Sequence, residues 1–166
     1  MRAVANTVTV VATDGPAGRH GATVSAFCSV SADPPSVLVC LHAESRIARL
    51  VKHNGSFAVN ALAADQPDLA LRFAGGDDAT LKSVQGCETG ACDRFDAVAL
   101  DPHASQPSLH GALVFACRVQ QCQQVGSHEV VVAEVVGVSG GVDDPLVYRD
   151  GGFVHVVGDK ESGRRG

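Results

Sequence analysis

Thr23, Ser25, Ser29 and Ser31 occur at alternate positions within "GATVSAFCSVSADPPSVLVC", residues 21–40, with Phe27 among them. Side chains of an extended chain alternate between faces, so the spacing predicts a strand with hydroxyls on one side. The other side carries the small apolar residues Ala22, Val24, Ala26, Cys28 and Val30. Such a row is usually the wet face of an antiparallel strand. It also suits a polar ligand, because small side chains admit a flat molecule and hydroxyls both donate and accept. A second group stands in "ESRIARLVK", where Ser45 is placed to cap a helix, Arg46 follows it, and Lys52 lies farther on. A helix N-terminus beside a cation suits a phosphate. On an ordinary solvated helix face, the same two basic residues would only meet water.

The remaining reactive side chains form no familiar constellation. Seven histidines lie at 20, 42, 53, 103, 110, 128 and 155, and none pairs with another at helical ligand spacing beside a carboxylate. Six cysteines lie at 28, 40, 87, 92, 117 and 122, without a Cys-x-x-Cys. No metal site is therefore read from the sequence. Cys28, Cys40 and Cys117 fall in apolar strand patterns, where a thiol acts as a small hydrophobe. Gly-x-Gly-x-x-Gly, the P-loop and Gly-x-Ser-x-Gly are all missing. The net charge of −5 and the scattered Lys and Arg argue against a nucleic-acid or membrane-surface partner. With no signal peptide and no run of 18 apolar residues, the expectation is a cytoplasmic protein with reduced thiols.

The elements that must position these groups are mostly strands. Aromatics make up only 4% of 166 residues, so Val, Ala and Leu must build the core, and Val favours strands. Strands are expected at 7–13, across the stretch from 21, and at 36–42 and 56–62. A short strand is expected at 96–101 and long ones at 111–125 and 127–139, with a closing hairpin around Asp150-Gly151-Gly152. Ile47, Leu50 and Val51 have helical spacing between Ser45 and a terminating Gly55. Asp65 and Pro67 open a second helix through Leu69, Leu71 and Phe73. Residues 75–92, rich in Gly, Asp and Cys, read as an exposed loop. Strands do not alternate with helices, so a parallel sheet is disfavoured and a mainly β, small antiparallel barrel with short helices is expected. The domain is drawn over 1–158, with a polar tail at 159–166.

A flavin answers the two polar groups together: its ring needs partners along one edge, and its phosphate needs a cation or a helix start. In order along the chain, "VTVVAT", "GATVSAFCSVSADPPSVLVCL", "SFAVNAL", "DLALRFAG", "DRF", "LHGALVFACRV", "VGSHEVVVAEVV" and "PLVY" resemble the flavin reductase-like family. The resemblance runs from about residue 4 to 157, and 23–35 and Gly126-Ser127-His128 are its most specific parts.

The resemblance implies an FMN-binding split β-barrel, usually a homodimer, that moves a hydride from NADH or NADPH to FMN or FAD. It implies Thr23, Val24, Ser25 and Ala26 facing the flavin ring and ribityl chain. Ser45, Arg46 and Lys52 would lie at the phosphate, and Phe73 near the pocket. His128 would sit beside the nicotinamide, and Tyr148 and Phe153 match the family's late aromatic positions. Ser127 stands where the family usually carries Asp. The implied partner is an oxygenase that consumes reduced flavin. The alternatives are reduction of a cobalt corrinoid, or a flavin-binding barrel without catalysis.

Overall fold

The computed structural model describes residues 3–75 and 94–156. The 75–92 segment with Cys87 and Cys92, except Gly75, and the tail at 159–166 lie outside the described residues. The described chain is built from ten strands and two helices. They are β1 (Asn6–Thr7), β2 (Thr9–Thr13), β3 (His20–Val24), β4 (Phe27–Ala32), β5 (Pro35–His42), α1 (Arg46–Asn54) and β6 (Ser56–Ala61). Then come α2 (Pro67–Phe73), β7 (Leu113–Val125), β8 (His128–Gly140), β9 (Val147–Arg149) and β10 (Gly152–Val154).

Seven strands form one antiparallel sheet in the order β3-β2-β6-β7-β8-β5-β4. Its two edge strands, β3 and β4, are consecutive in the chain and joined only by Ser25 and Ala26. That two-residue link brings the two ends of the sheet together at a corner, where the Ala26 carbonyl accepts from the Cys40 N–H at 3.0 Å and so carries the β4–β5 ladder up to the turn. The sheet thus curls into a barrel, split where β3 and β4 part. The expected mainly β barrel is the observed fold. A small second sheet, β1-β9-β10, flanks it.

Several local expectations need correction. The stretch from residue 21 is two strands on opposite edges of the sheet, because the chain turns at Ser25-Ala26 where alternation alone would continue. Thr23 and Ser25 therefore separate from Ser29 and Ser31, which are exposed on β4. Residues 7–13 divide into β1 and β2. Residues 96–101 form no strand and contribute one isolated bridge, Leu100 to Leu109. Asp65 does not cap α2; Gln66 holds that position, and its side-chain oxygen accepts from the Ala63 N–H instead. Leu71 is half exposed, and α2 buries Ala70 and Phe73.

The core has two layers because β2 and β6 are covered on both faces, which is why they read as unbroken apolar runs. Inside the barrel lie Val11, Val24, Val39, Leu41, Phe57, Val59 and Val131, closed at one end by Ile47, Ala48 and Val51 of α1. Outside β2 and β6, Val10, Ala12, Ala58 and Leu62 pack under Ala70 and Phe73 of α2 and under Phe95 and Leu109. Gly21 makes the second layer possible: a Cβ there would meet the Phe73 ring at 2.8 Å and Phe95 at 3.0 Å. Asn60, fully buried, stitches the layers by donating to the Val10 and Pro107 carbonyls and accepting from the Leu109 N–H.

Cys117 sits in the barrel interior, and burial pushes its thiol up to about 12 from an ordinary 9.0. A raised value means the folded protein holds the proton more tightly. The resulting stability is intact below 9.0 and is lost as pH rises through about 12. Only a thiolate alkylates readily. Iodoacetamide at about pH 8 should therefore modify the exposed Cys28 and spare Cys117 until the protein unfolds. Peptide mass mapping checks this, and equal native rates at both thiols would contradict it.

Candidate functional site

A cavity of about 440 Å³ opens where the barrel is split. One wall is the end of β3 and the corner, with Thr23, Val24, Ser25 and Ala26. Opposite it stand Cys40 and His42 at the end of β5, with His128 at the start of β8. The start of α1 and the end of α2 complete it through Ser45, Arg46, Phe73 and Arg94. Eight of the nine residues singled out as site candidates are therefore brought together. β3 is an edge strand, so alternate backbone N–H and C=O groups along it have no ladder partner.

Each wall has a local cause. Ser45 is the N-cap of α1: its hydroxyl accepts from the Ala48 N–H at 3.3 Å and donates to the His42 carbonyl at 2.6 Å. Gly55, in the left-handed conformation with φ 71°, ends the helix. The Ser45 hydroxyl proton is thus committed to the fold. The first-turn N–H groups of Arg46 and Ile47 are those that helix geometry leaves for an anion. The Thr23 hydroxyl is committed too, donating to the Ala70 carbonyl at 2.6 Å. It pins α2 to β3 and so places Phe73, whose ring lies 5.0 Å from Phe95.

Two side chains at the cationic end repel each other. Burial, and then the Arg46 guanidinium, draw the Arg94 pKa down from its usual value. Arg94 is held there by its bond to the Phe73 carbonyl at 3.0 Å. An anion between the two guanidiniums would relieve the repulsion, and among the described residues no carboxylate lines the cavity. Lys52 is not at this end. It projects from the far side of α1 to Glu129, 3.4 Å away, and Glu129 is only 8% exposed.

At the other end, β7 and β8 turn tightly at Gly126-Ser127, which presents His128 at the cavity mouth. The Ser127 hydroxyl lies 3.0 Å from His128 Nδ1. A serine in the place of the family's usual Asp thus still fixes the imidazole. The ring of His42 meets that of His128 edge-on, 5.7 Å between centroids. Tyr148 and Phe153 form their own edge-on pair at 5.8 Å, on the other side of the corner from the main cavity. Reading along the sequence assigned no role to Arg94 or His42. Arg94 lies in the "DRF" motif but joins the site only through its contact with α2. His42 ends an apolar run, and only the β5–β8 register places it beside His128.

The architecture and this cavity define a flavin reductase-like protein, and comparison with known proteins agrees. Residues 1–156 match the family model described as flavin reductase like domain, so the chain belongs to that family. It is 40% identical over 157 residues to the FMN reductase (NADH) RutF of Ancylobacter novellus, covering 93% of this chain and 80% of that one. The flavin reductase of styrene monooxygenase from Pseudomonas putida S12 superposes with a TM-score of 0.75 at 27% identity, covering 92% of each chain. The NADH:FAD oxidoreductase SgcE6 of Streptomyces globisporus C-1027, in complex with NAD and FAD fragments, gives 0.79 at 25% identity, over 96% of this chain and 90% of that one.

Proposed function

We propose that this protein is an NAD(P)H-dependent flavin reductase that passes a hydride to FMN or FAD and supplies the reduced flavin to a partner oxygenase. The observation that carries the reading is the split-barrel cavity. It has a slender wall at Thr23–Ala26, a cationic end at Arg46 and Arg94, and an imidazole at the opposite end. The residues present suit a flavin: an edge strand for the ring, and guanidiniums with a helix start for the phosphate. A bound flavin would supply at N5 the acceptor for a hydride from nicotinamide C4, so the cofactors would carry the difficult chemistry.

The protein's work is positioning. Thr23, Val24, Ser25 and Ala26 form the bed for the ring. Phe73, seated on Gly21, bounds the cavity on the α2 side. Arg46, Arg94 and the α1 start hold the phosphate. His128, steadied by Ser127, orients the nicotinamide so that the two rings stack at a reacting distance of roughly 3–3.5 Å. Nothing in this scheme requires an acid–base pair or a nucleophile.

Among the described residues no helix is long and apolar enough to cross a membrane. A cytoplasmic homodimer is the state that fits the reading. Val30, Val136 and Val138, each at least half exposed on the sheet, offer apolar surface to a second copy. Light scattering tests this directly.

The enzymatic test is loss of NADH or NADPH absorbance with FMN, FAD or riboflavin supplied in turn. Turnover should require both flavin and nicotinamide. His128→Asn should cut kcat/KM about 10-fold or more, which corresponds to roughly 1.4 kcal/mol of transition-state stabilisation. Absence of flavin-dependent oxidation with either donor would remove the proposal. Full activity in the variant would remove only the role of His128.

A further inference from the structure

We infer that His42 is a contact for the phosphate-bearing arm of the nicotinamide donor, distinct from the ring contact made by His128; this rests on the function proposed above. The backbone arrangement comes first. The Ala43 N–H donates to the Ser127 carbonyl at 2.9 Å, which makes Ala43 and Ser127 a hydrogen-bonded pair in the β5–β8 ladder. The neighbouring pair, His42 and His128, is then a non-hydrogen-bonded pair, the kind that brings side chains closest. The two rings duly stand 5.7 Å apart, edge to face, and both line the cavity.

The two imidazoles are held differently. Ser127 fixes His128 at Nδ1. His42 is anchored through its main chain, whose carbonyl accepts from both the Ser45 hydroxyl and the Ser45 N–H. Its ring stands edge-on to His128 and lines the same cavity as Ser45 and Arg46 at the start of α1, the helix's positive end. Charge then decides what it meets. Among the described residues, the lining has two guanidiniums and three imidazoles and no carboxylate. Flavin mononucleotide brings one phosphate, which Arg46 and Arg94 accommodate. A nicotinamide dinucleotide brings a pyrophosphate as its second anionic group, and His42 is the nitrogen donor beside the ring-binding histidine.

The test compares NADH with 1-benzyl-1,4-dihydronicotinamide, a hydride donor with the same ring and no phosphate. The full-length protein is assayed with FMN as acceptor. His42→Asn should raise KM for NADH about 10-fold and leave KM for the phosphate-free donor unchanged, with kcat and FMN affinity preserved. His42→Arg should restore most of the NADH affinity, since a guanidinium also binds phosphate. His128→Asn should impair both donors alike. Equal impairment of both donors by His42→Asn, or of neither, overturns the inference. So does weakened FMN binding by fluorescence quenching, which would place His42 at the flavin. If the wild-type protein oxidises neither donor with FMN, the failure belongs to the proposed function instead.

Discussion

Arg46→Ala should weaken FMN binding about 10- to 100-fold while leaving riboflavin binding almost unchanged. One charge-assisted hydrogen bond to a phosphate is worth roughly 1.5–3 kcal/mol, and each 1.4 kcal/mol is about a factor of ten. The comparison isolates the phosphate, because riboflavin has the same ring and ribityl chain without it. Arg46 is the cleaner choice of the two guanidiniums. Arg94 also bonds the Phe73 carbonyl, so its removal would loosen α2 as well. The Arg46→Ala loss should shrink as salt is added, since the side chain is exposed and screening weakens what it contributes. Fluorescence quenching titrations of FMN and riboflavin measure both constants. Equal losses for the two ligands would move the phosphate away from Arg46.

Asn60→Leu should destabilise the fold by about 3 kcal/mol and lower Tm by roughly 10 °C. The side chain is fully buried on β6 and makes three hydrogen bonds, to the Val10 and Pro107 carbonyls and from the Leu109 N–H. Leucine is close in volume, so the cost comes from the polar groups left without partners rather than from a void. The effect should reach the site. Asn60 fastens residues 107–109 to β6, and that same layer carries Phe95 under Phe73. Flavin affinity should therefore fall together with stability. Calorimetry reads the first, and a variant as stable as the wild type would contradict the argument.

Local features were legible in the sequence wherever their cause is local. Ser45 and Gly55 bracket α1 because capping chemistry acts within a turn. The hairpin at Asp150-Gly151 shows because positive φ is needed there, 50° and 90° in the structure. The barrel class follows from a Val-rich chain whose strands outnumber its helices. What escaped depends on partners distant in sequence. The alternation of small and hydroxyl residues runs straight through Ser25-Ala26, and nothing in it marks the corner. Residues 96–101 look like a short strand, yet the segment pairs with nothing among the described residues beyond one bridge, Leu100 to Leu109. Lys52 follows Arg46 on the same helix, but six residues carry it around the axis to Glu129. Eight of the residues named from the resemblance line one cavity, while His42 and Arg94 needed the register and the tertiary contact.

The parting of β3 from β4 has one more consequence. An unpaired strand edge is a template onto which another chain's strand can add, and folded proteins ordinarily guard such edges with charge, proline or a covering element. Here the edge that lacks a neighbour also walls the cavity, so under the proposed function a flat, hydrogen-bonding ring seated there would do the work of a missing strand. Colloidal behaviour and ligand supply would then be linked: the protein best protected against clumping would be the one that is loaded.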